Sequence, residues 1–251
     1  MKNPFIFKQL FLAFILITFS YTASSQEIVN IIYVGDSGIT EDVKQAHSFI
    51  AIKQYPGSVY ERLDYRLGGP LTMLRTYNDT NLANLDGKFL TYDGSGALVT
   101  SGQYYNNQKT GDWHYYNDTG KVVMKETYDK DVLTKSENPD TVKETKAVKY
   151  GDEKETEFKK GKNAWSTYLE NSLLRLPFEV TSLKGKVHVM FIINTEGKLT
   201  DIYLRKSAHF ALDEEALKII SNSSLWNPAF QNGHNVNAFR VQPFTFRGMD
   251  E

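Results

Sequence analysis

The side chains that could support catalysis or metal binding are scattered along this chain. Its five histidines form no pair at the spacing of a metal site; they are His47, His114, His188, His209 and His234. Two serines, Ser101 and Ser207, have no base that the sequence places beside them. The chain has no cysteine, which excludes disulfides, thiolate metal sites and a cysteine nucleophile. We therefore predict no catalytic residue, no metal and no cofactor, and we do not expect an enzyme.

The acidic pairs and glycine-rich segments have simpler structural explanations. Glu214 and Glu215 stand at the start of an apolar-periodic segment, where negative charge suits a helix N-terminus better than a hydrolase pair. The segments Gly35–Gly38 and Asp93–Gly96 lack the spacing of a nucleotide-binding loop or a calcium-binding loop. We interpret both as turns.

Length and composition are those of a globular protein. The 251 residues are 41% hydrophobic and 24% charged, which is enough for one or two domains with real cores. Tyr and Phe are frequent, at 15 each, and this favours β structure. The net charge of −1 gives no basic footprint, so no nucleic-acid partner is expected.

The first 25 residues are typical of a signal peptide. Lys2 and Lys8 precede the uncharged apolar run Leu10–Phe19, and small residues at Ala23–Ser25 offer a cleavage site before Gln26. The apolar run is short for a transmembrane helix, which needs about 20 residues. We expect export to the periplasm or cell envelope. The alternative is an uncleaved leader that anchors the chain in the inner membrane, facing the periplasm.

A pattern Tyr-x3-Gly-x7-Tyr occurs three times in the middle of the chain. The weakest copy is Tyr65, Gly69 and Tyr77. In the other two copies the residues recur at an offset of 24: Gly87, Phe89, Tyr92, Gly96 and Tyr104, then Gly111, Trp113, Tyr116, Gly120 and Tyr128. Each unit is typical of one hairpin with an aromatic face that it cannot bury alone. We therefore predict a β-meander over residues 60–133, within a β-rich domain of residues 26–133.

The two glycines that follow the turn residues have a defined conformational role in this prediction. Gly96 and Gly120 each close a tight turn, so we expect positive φ at both.

The repeats resemble the MORN-like repeats of the YwqK antitoxin type through the residues named above. That resemblance implies a binding or scaffolding module. We expect the aromatic rings to fill the repeat core, and stacking on a glycan or a protein partner is the alternative.

Residues 134–161 form a predicted charged linker, because they are rich in Lys, Glu, Asp and Thr with few apolar positions. The pattern beyond it predicts an α+β domain over residues 162–251. An amphipathic helix at Asn163–Leu174 precedes a hairpin of Lys186–Ile193 and Lys198–Lys206. A second helix then follows, Glu214–Asn222, for which Asp213 is the predicted N-cap.

A last strand is predicted at Val236–Phe246. Pro243 cannot donate to a ladder, so it belongs at a sheet edge or at a bulge. Phe239 and Val241 differ in parity from Phe244 and Phe246, and a bulge at Pro243 would explain the difference.

Five landmarks in this region resemble the TonB C-terminal domain. They are Gly185–Gly197, Leu212–Leu217, Trp226–Ala229, Gly233 and Pro243–Phe246, in that order. The resemblance implies a small antiparallel sheet with two helices, preceded here by the β-meander repeats. It also implies binding of extended peptide segments of outer-membrane or envelope partners by strand addition. The candidate edge residues are Val236, Ala238, Phe239, Arg240, Val241 and Phe244.

Two functions are compatible with these features. The first is an exported envelope-binding protein that docks peptide strands. The alternative is a TonB-type energy-transducing subunit, held by an uncleaved N-terminal helix, that supports transport across the outer membrane. The leader and the absence of a long proline-rich segment favour the first, because residues 134–160 contain only Pro139.

Overall fold

The computed structural model describes residues 27–139, 153–159, 161–223 and 226–248. The predicted signal peptide lies outside the described residues, as does the central part of the predicted linker, residues 140–152. Among the residues that are described, no helix combines the length and apolar content needed to cross a membrane.

The first part of the chain folds as an antiparallel meander of ten strands. Neighbours along the chain are neighbours in the sheet, except that β1 lies between β2 and β3. The strands are β1 (Glu27–Gly35), β2 (Gly38–Thr40), β3 (Ala46–Tyr55), β4 (Val59–Arg66), β5 (Leu71–Tyr77), β6 (Leu85–Tyr92), β7 (Leu98–Tyr105), β8 (Gln108–Tyr116), β9 (Val122–Asp129) and β10 (Val132–Glu137).

The repeat turns have the predicted conformation. Gly96 has φ of 80° and Gly120 has φ of 78°, which confirms the expectation of positive φ. In the first turn the Asp93 carboxylate accepts hydrogen bonds from the backbone N–H groups of Ser95 and Ala97. The amide oxygen of Asn117 accepts the equivalent bonds from Thr119 and Lys121 in the second turn. A short polar side chain at the first position thus fixes each turn.

The aromatic rings of one face of the meander pack on one another. Phe89, Tyr104 and Trp113 form a cluster with centroid separations of 5.3–5.5 Å, and Tyr128 extends it. Trp113 is only 2% exposed. A side chain at Gly102 would overlap the Trp113 indole, so this glycine makes room for the ring. We call these four rings the back-face cluster.

The second part of the chain builds a small mixed structure. Three strands form its main sheet in the order β13-β12-β17, and two short pairs, β11 with β14 and β15 with β16, complete it. The elements are β11 (Glu157–Phe158), α1 (Lys162–Leu173), α2 (Phe178–Thr181), β12 (Lys184–Ile193), β13 (Leu199–Lys206), α3 (Phe210–Ser221), β14 (Trp226–Asn227), β15 (Ala229–Gln231), β16 (His234–Val236) and β17 (Ala238–Arg247). This arrangement confirms the predicted α+β class, with a meander ahead of a small antiparallel sheet and its helices.

One face of the three-stranded sheet carries the core. Alternate residues of β12, from Val187 to Ile193, are buried against apolar residues of α3 such as Leu212 and Ile220. The same apolar cluster continues into the meander through Leu63, Leu90 and other buried residues of β3 to β7. The two parts of the chain therefore share one core.

The predicted cap of α3 is wrong. The helix begins at Phe210, and its N-cap is His209, whose Nδ1 accepts a hydrogen bond from the Ala211 backbone N–H. Asp213 lies within the helix and is fully buried. The helix extends one turn further than predicted because Phe210 and Leu212 contribute to the core. The acidic run after Asp213 resembled a helix start without being one.

The predicted bulge at Pro243 is also wrong. The register between β12 and β17 is continuous, from Lys184 opposite Arg247 to Ile193 opposite Ala238. In this regular strand the odd-numbered and even-numbered residues lie on opposite faces of the sheet. Phe239 is 66% exposed and Val241 is 50% exposed on one face, whereas Phe244 on the other face is 4% exposed. The predicted strand is also divided, since Val236 ends β16 and β17 begins only at Ala238.

Candidate functional site

The meander caps one edge of the three-stranded sheet. Along β13, the backbone carbonyl oxygen of Leu204 accepts a hydrogen bond of 3.0 Å from the Tyr92 hydroxyl. The carbonyl oxygen of Ile202 accepts one of 3.4 Å from Lys88 Nζ. Just beyond β13, the Ser207 N–H donates to the Gly96 carbonyl oxygen at 2.8 Å. These are groups that a further strand would need, so the β13 edge is closed to strand addition.

The same position of each repeat makes the contact with the second part of the chain. The hydroxyl of Tyr65 donates to the Asp213 carboxylate at 3.0 Å, and that of Tyr92 donates to Leu204. The ring of Tyr116 lies 4.3 Å from the Arg205 guanidinium. Each is the first tyrosine of the Tyr-x3-Gly pattern. The sequence contains one signal of this role: these positions are Tyr in all three copies, whereas Phe and Trp occur three residues earlier in two copies.

A buried polar cluster fixes α3 against the meander. The Asp213 carboxylate accepts hydrogen bonds from Ser207 Oγ at 2.5 Å, Tyr65 OH at 3.0 Å and the Ala208 N–H at 3.1 Å. Ser207 Oγ in turn accepts from the Leu71 N–H at 2.7 Å. Burial raises the pKa of Asp213 to about 7, although the three donors oppose the shift.

An ion pair lies beside this cluster. Lys53, only 2% exposed, donates to Glu214 at 2.6 Å. A cation so deeply buried requires a partner, because an unpaired charge in that position would be costly. Together with Asp213, this pair gives the interface a specific geometry as well as an apolar core.

The other edge of the sheet, β17, has no strand beside it among the described residues. Pro243 lies opposite His188 without a break in register, so its nitrogen must point away from β12. By alternation, Phe239, Val241 and Thr245 also direct their backbone N–H and C=O groups outward. The outward carbonyl of Pro243 accepts from its neighbour Gln242 Nε2 at 2.8 Å. Those of Phe239 and Val241 have no hydrogen-bond partner in the described parts of the chain.

A groove of about 630 Å³ runs beside the first half of β17. Its walls are residues 153–156, strand β15, and residues 236–241. The 153–156 wall is held by two backbone hydrogen bonds between Lys154 and Phe230, of 2.9 and 2.8 Å. Thr156 Oγ1 adds a bond of 2.8 Å to the Asn227 carbonyl oxygen. The groove thus combines an open strand edge with fixed walls.

Five of the six predicted edge residues line this groove: Val236, Ala238, Phe239, Arg240 and Val241. The sixth, Phe244, lies in the core and does not contribute. Residues 153–156 were missed because they lie in the segment predicted as a linker. Phe158 is the one signal that could have located them, since it is an aromatic residue in a charged stretch and packs against Trp165 and Trp226.

The groove offers backbone groups, apolar side chains and one partly buried cation, Arg240. Where the structure describes the chain, no three His, Asp or Glu side chains gather as a metal site. The arrangement is suited to holding an extended chain in place.

Comparison with known proteins gives a match to part of the chain. Residues 181–247 match the family model for the C-terminal domain of the Gram-negative bacterial TonB protein. The matched segment runs from the end of α2 to the end of β17, so it contains the whole three-stranded sheet and α3. No curated protein and no solved structure matches the chain. The resemblance of residues 60–133 to MORN-like repeats stays a prediction, whereas residues 181–247, in the carboxyl-terminal part of this chain, are similar to the TonB C-terminal domain.

Proposed function

We propose that this chain is an exported envelope protein whose TonB C-terminal domain binds an extended peptide of an outer-membrane or envelope partner by strand addition to β17. One observation carries the proposal: of the two edges of the three-stranded sheet, the meander closes β13, whereas β17 borders a groove and has no strand beside it in the described parts of the chain. Within the three-stranded sheet, β17 is therefore the edge at which an incoming strand can pair.

Main-chain hydrogen bonds supply most of the affinity in this mode of binding. The outward N–H and C=O groups of Phe239 and Val241 are the ones that a guest strand would use. Their side chains, 66% and 50% exposed, lie on the outer face, where a guest strand would place its own apolar side chains beside them. Binding would thus satisfy free backbone groups and cover exposed apolar surface.

The meander has a defined role in this function. By capping β13 through Tyr92 and Gly96, it holds the domain in one orientation and blocks the competing edge. The predicted cleavage before Gln26 would leave the mature chain free in the periplasm. A glycan or protein partner that binds the back-face cluster of the meander stays a separate prediction.

Replacement of Val241 by proline tests the strand addition directly. Val241 directs its N–H away from β12, so Val241→Pro removes a donor for the guest strand without removing a bond to β12. Val241→Thr is the matched control, because it keeps the N–H and the branched side chain. We expect fluorescence anisotropy with labelled N-terminal peptides of outer-membrane receptors to show binding at least about tenfold weaker for the proline variant. Equal affinities of the two variants would overturn the proposal.

A further inference from the structure

Arg240 is a partly buried cation that is fixed in position at the groove. Its side chain points to the inner face of β17, the face opposite to Phe239 and Val241. The Nη2 atom donates to the Thr156 carbonyl oxygen at 2.5 Å, and the guanidinium lies 5.5 Å from the centroid of the Trp226 ring. These contacts orient the planar group before any ligand arrives.

This guanidinium has no anionic partner among the residues that the structure describes. None of the ion pairs among the described residues involves Arg240. Its Nε atom is buried and has no hydrogen-bond partner in that part of the chain. A carboxylate beside this partly buried guanidinium would satisfy the buried Nε and offset the desolvation of the charge.

The other charged residues of the groove are placed differently. Glu153, Lys154 and Glu155 line its rim, and all three are exposed. Exposed charges are screened by water and salt, so the two glutamates oppose an anionic ligand only weakly. Of the two cations among the described lining residues, Lys154 is exposed and Arg240 is partly buried, so a carboxylate placed beside Arg240 would be shielded from solvent.

A strand added to β17 would place its residues on alternate faces. The residue opposite Arg240 would point into the groove, and its two neighbours would point to the outer face beside Phe239 and Val241. The side chain at one guest position would therefore contact the Arg240 cation, and the side chains at the two flanking positions would contact apolar residues.

We infer that the groove recognises an extended peptide carrying a carboxylate at the position opposite Arg240, flanked by apolar residues. This inference rests on the proposed strand addition. The carboxylate comes from an Asp or Glu side chain or from the end of a chain, and either would accept two hydrogen bonds from the guanidinium. Thr156, which orients Arg240, lies upstream of the matched segment 181–247, so the site is completed by residues outside the matched domain.

The test compares peptides that differ only in whether one group is a carboxylate or an amide. The full chain from Gln26 is titrated with acetylated Val-Thr-Val-Glu-Val-Thr-Val-amide and with the same peptide carrying Gln in place of Glu. A second pair, ending in Val-Thr-Val-Gln with a free or an amidated terminus, reports on a terminal carboxylate. We expect the carboxylate form of at least one pair to bind about tenfold more tightly than its neutral form.

Two variants assign this preference to Arg240. Arg240→Gln should remove the preference, so that this variant binds the charged and the neutral peptide equally, and Arg240→Lys should retain the preference in part. Arg247→Gln is the control, because Arg247 is an exposed residue of the same strand that does not line the groove. Thermal melts verify that each variant is folded, and the wild-type comparison of Glu with Gln needs no variant.

The outcomes separate the two proposals. Equal binding of charged and neutral peptides overturns the carboxylate inference and leaves strand addition standing. A preference that survives Arg240→Gln also overturns it. Failure of every peptide to bind overturns the strand addition itself, and this inference with it.

Discussion

The hydroxyl of Tyr92 lies 3.0 Å from the backbone carbonyl oxygen of Leu204, so a repeat side chain occupies the place that a neighbouring strand would take beside β13. This contact joins residues that are far apart in the chain and links the meander to the segment that matches the TonB C-terminal family model. It also leaves the sheet with β17 as its one edge without a described neighbour.

Replacement of Tyr92 by phenylalanine should destabilise the whole chain. The Leu204 carbonyl would remain buried and lose its donor, at a cost of about 1–3 kcal/mol in the free energy of unfolding. Tyr128→Phe is the control, because the Tyr128 hydroxyl donates to Glu126 on the other face. Urea denaturation measures both, and equal losses would show that the Tyr92 contact has no special weight.

Two glycines of the same backbone conformation should respond differently to alanine. Gly96 and Gly233 have φ of 80° and 82°, so alanine costs about 1–2 kcal/mol at each through backbone strain. At Gly96 the new Cβ would also overlap the Ser207 carbonyl oxygen, whereas at Gly233 no heavy atom lies within 4 Å. We expect Gly96→Ala to be destabilised by at least about 2 kcal/mol more than Gly233→Ala. Similar unfolding midpoints would contradict the close approach of this turn to Ser207.

Stability should depend on pH through Asp213. Burial raises its pKa from the ordinary 3.8 to about 7, so the folded state holds the proton more tightly than the unfolded state. Its contribution to stability is therefore fully present below the unfolded value and is lost as the pH rises through about 7. Asp213→Asn should flatten the fall in unfolding free energy between about pH 4 and 7. The same slope in variant and wild type would assign the dependence to other groups.

Cleavage of the predicted linker should leave the two parts of the chain together. Its charged composition predicts tryptic cuts at Lys143 and Lys146, which lie outside the described residues. Because the meander and the C-terminal part share a core and the Asp213 cluster, the fragments should co-elute in gel filtration and separate only in urea. Separate elution without denaturant would mean that the interface is weak in solution.

Local patterns predicted much of the fold. The alternation in Val187–Ile193 and the turn that follows predicted the β12–β13 hairpin, and the repeated Asp or Asn and Gly positions predicted the turns at Gly96 and Gly120. Pro243 predicted an edge strand, because a missing donor restricts proline to that position. The hairpin, the turns and the edge strand depend on residues that are close together in the chain. The local sequence is therefore enough to predict them.

The long-range contacts could not be predicted in this way. The pattern of tyrosines shows which face of a strand they share, but it does not show that the Tyr92 hydroxyl reaches Leu204, 112 residues away. Asp213 was predicted as a helix cap, and the sequence does not show that this residue is buried. Its hydrogen-bond partners Tyr65 and Ser207 contact it only in the folded chain. Residues 153–156 resembled a linker because their main contacts are backbone bonds, which composition does not reveal.

Hydrogen–deuterium exchange of the full chain, with and without a saturating peptide, tests the strand addition to β17 most directly. A guest strand on β17 would accept hydrogen bonds from the outward N–H groups of Phe239 and Val241, so these amides should become protected. The amides of Leu199–Lys206 in β13 should not change, because that edge is already capped. Protection confined to β13, or no change at Phe239 and Val241 while the peptide is bound, would contradict the proposed function.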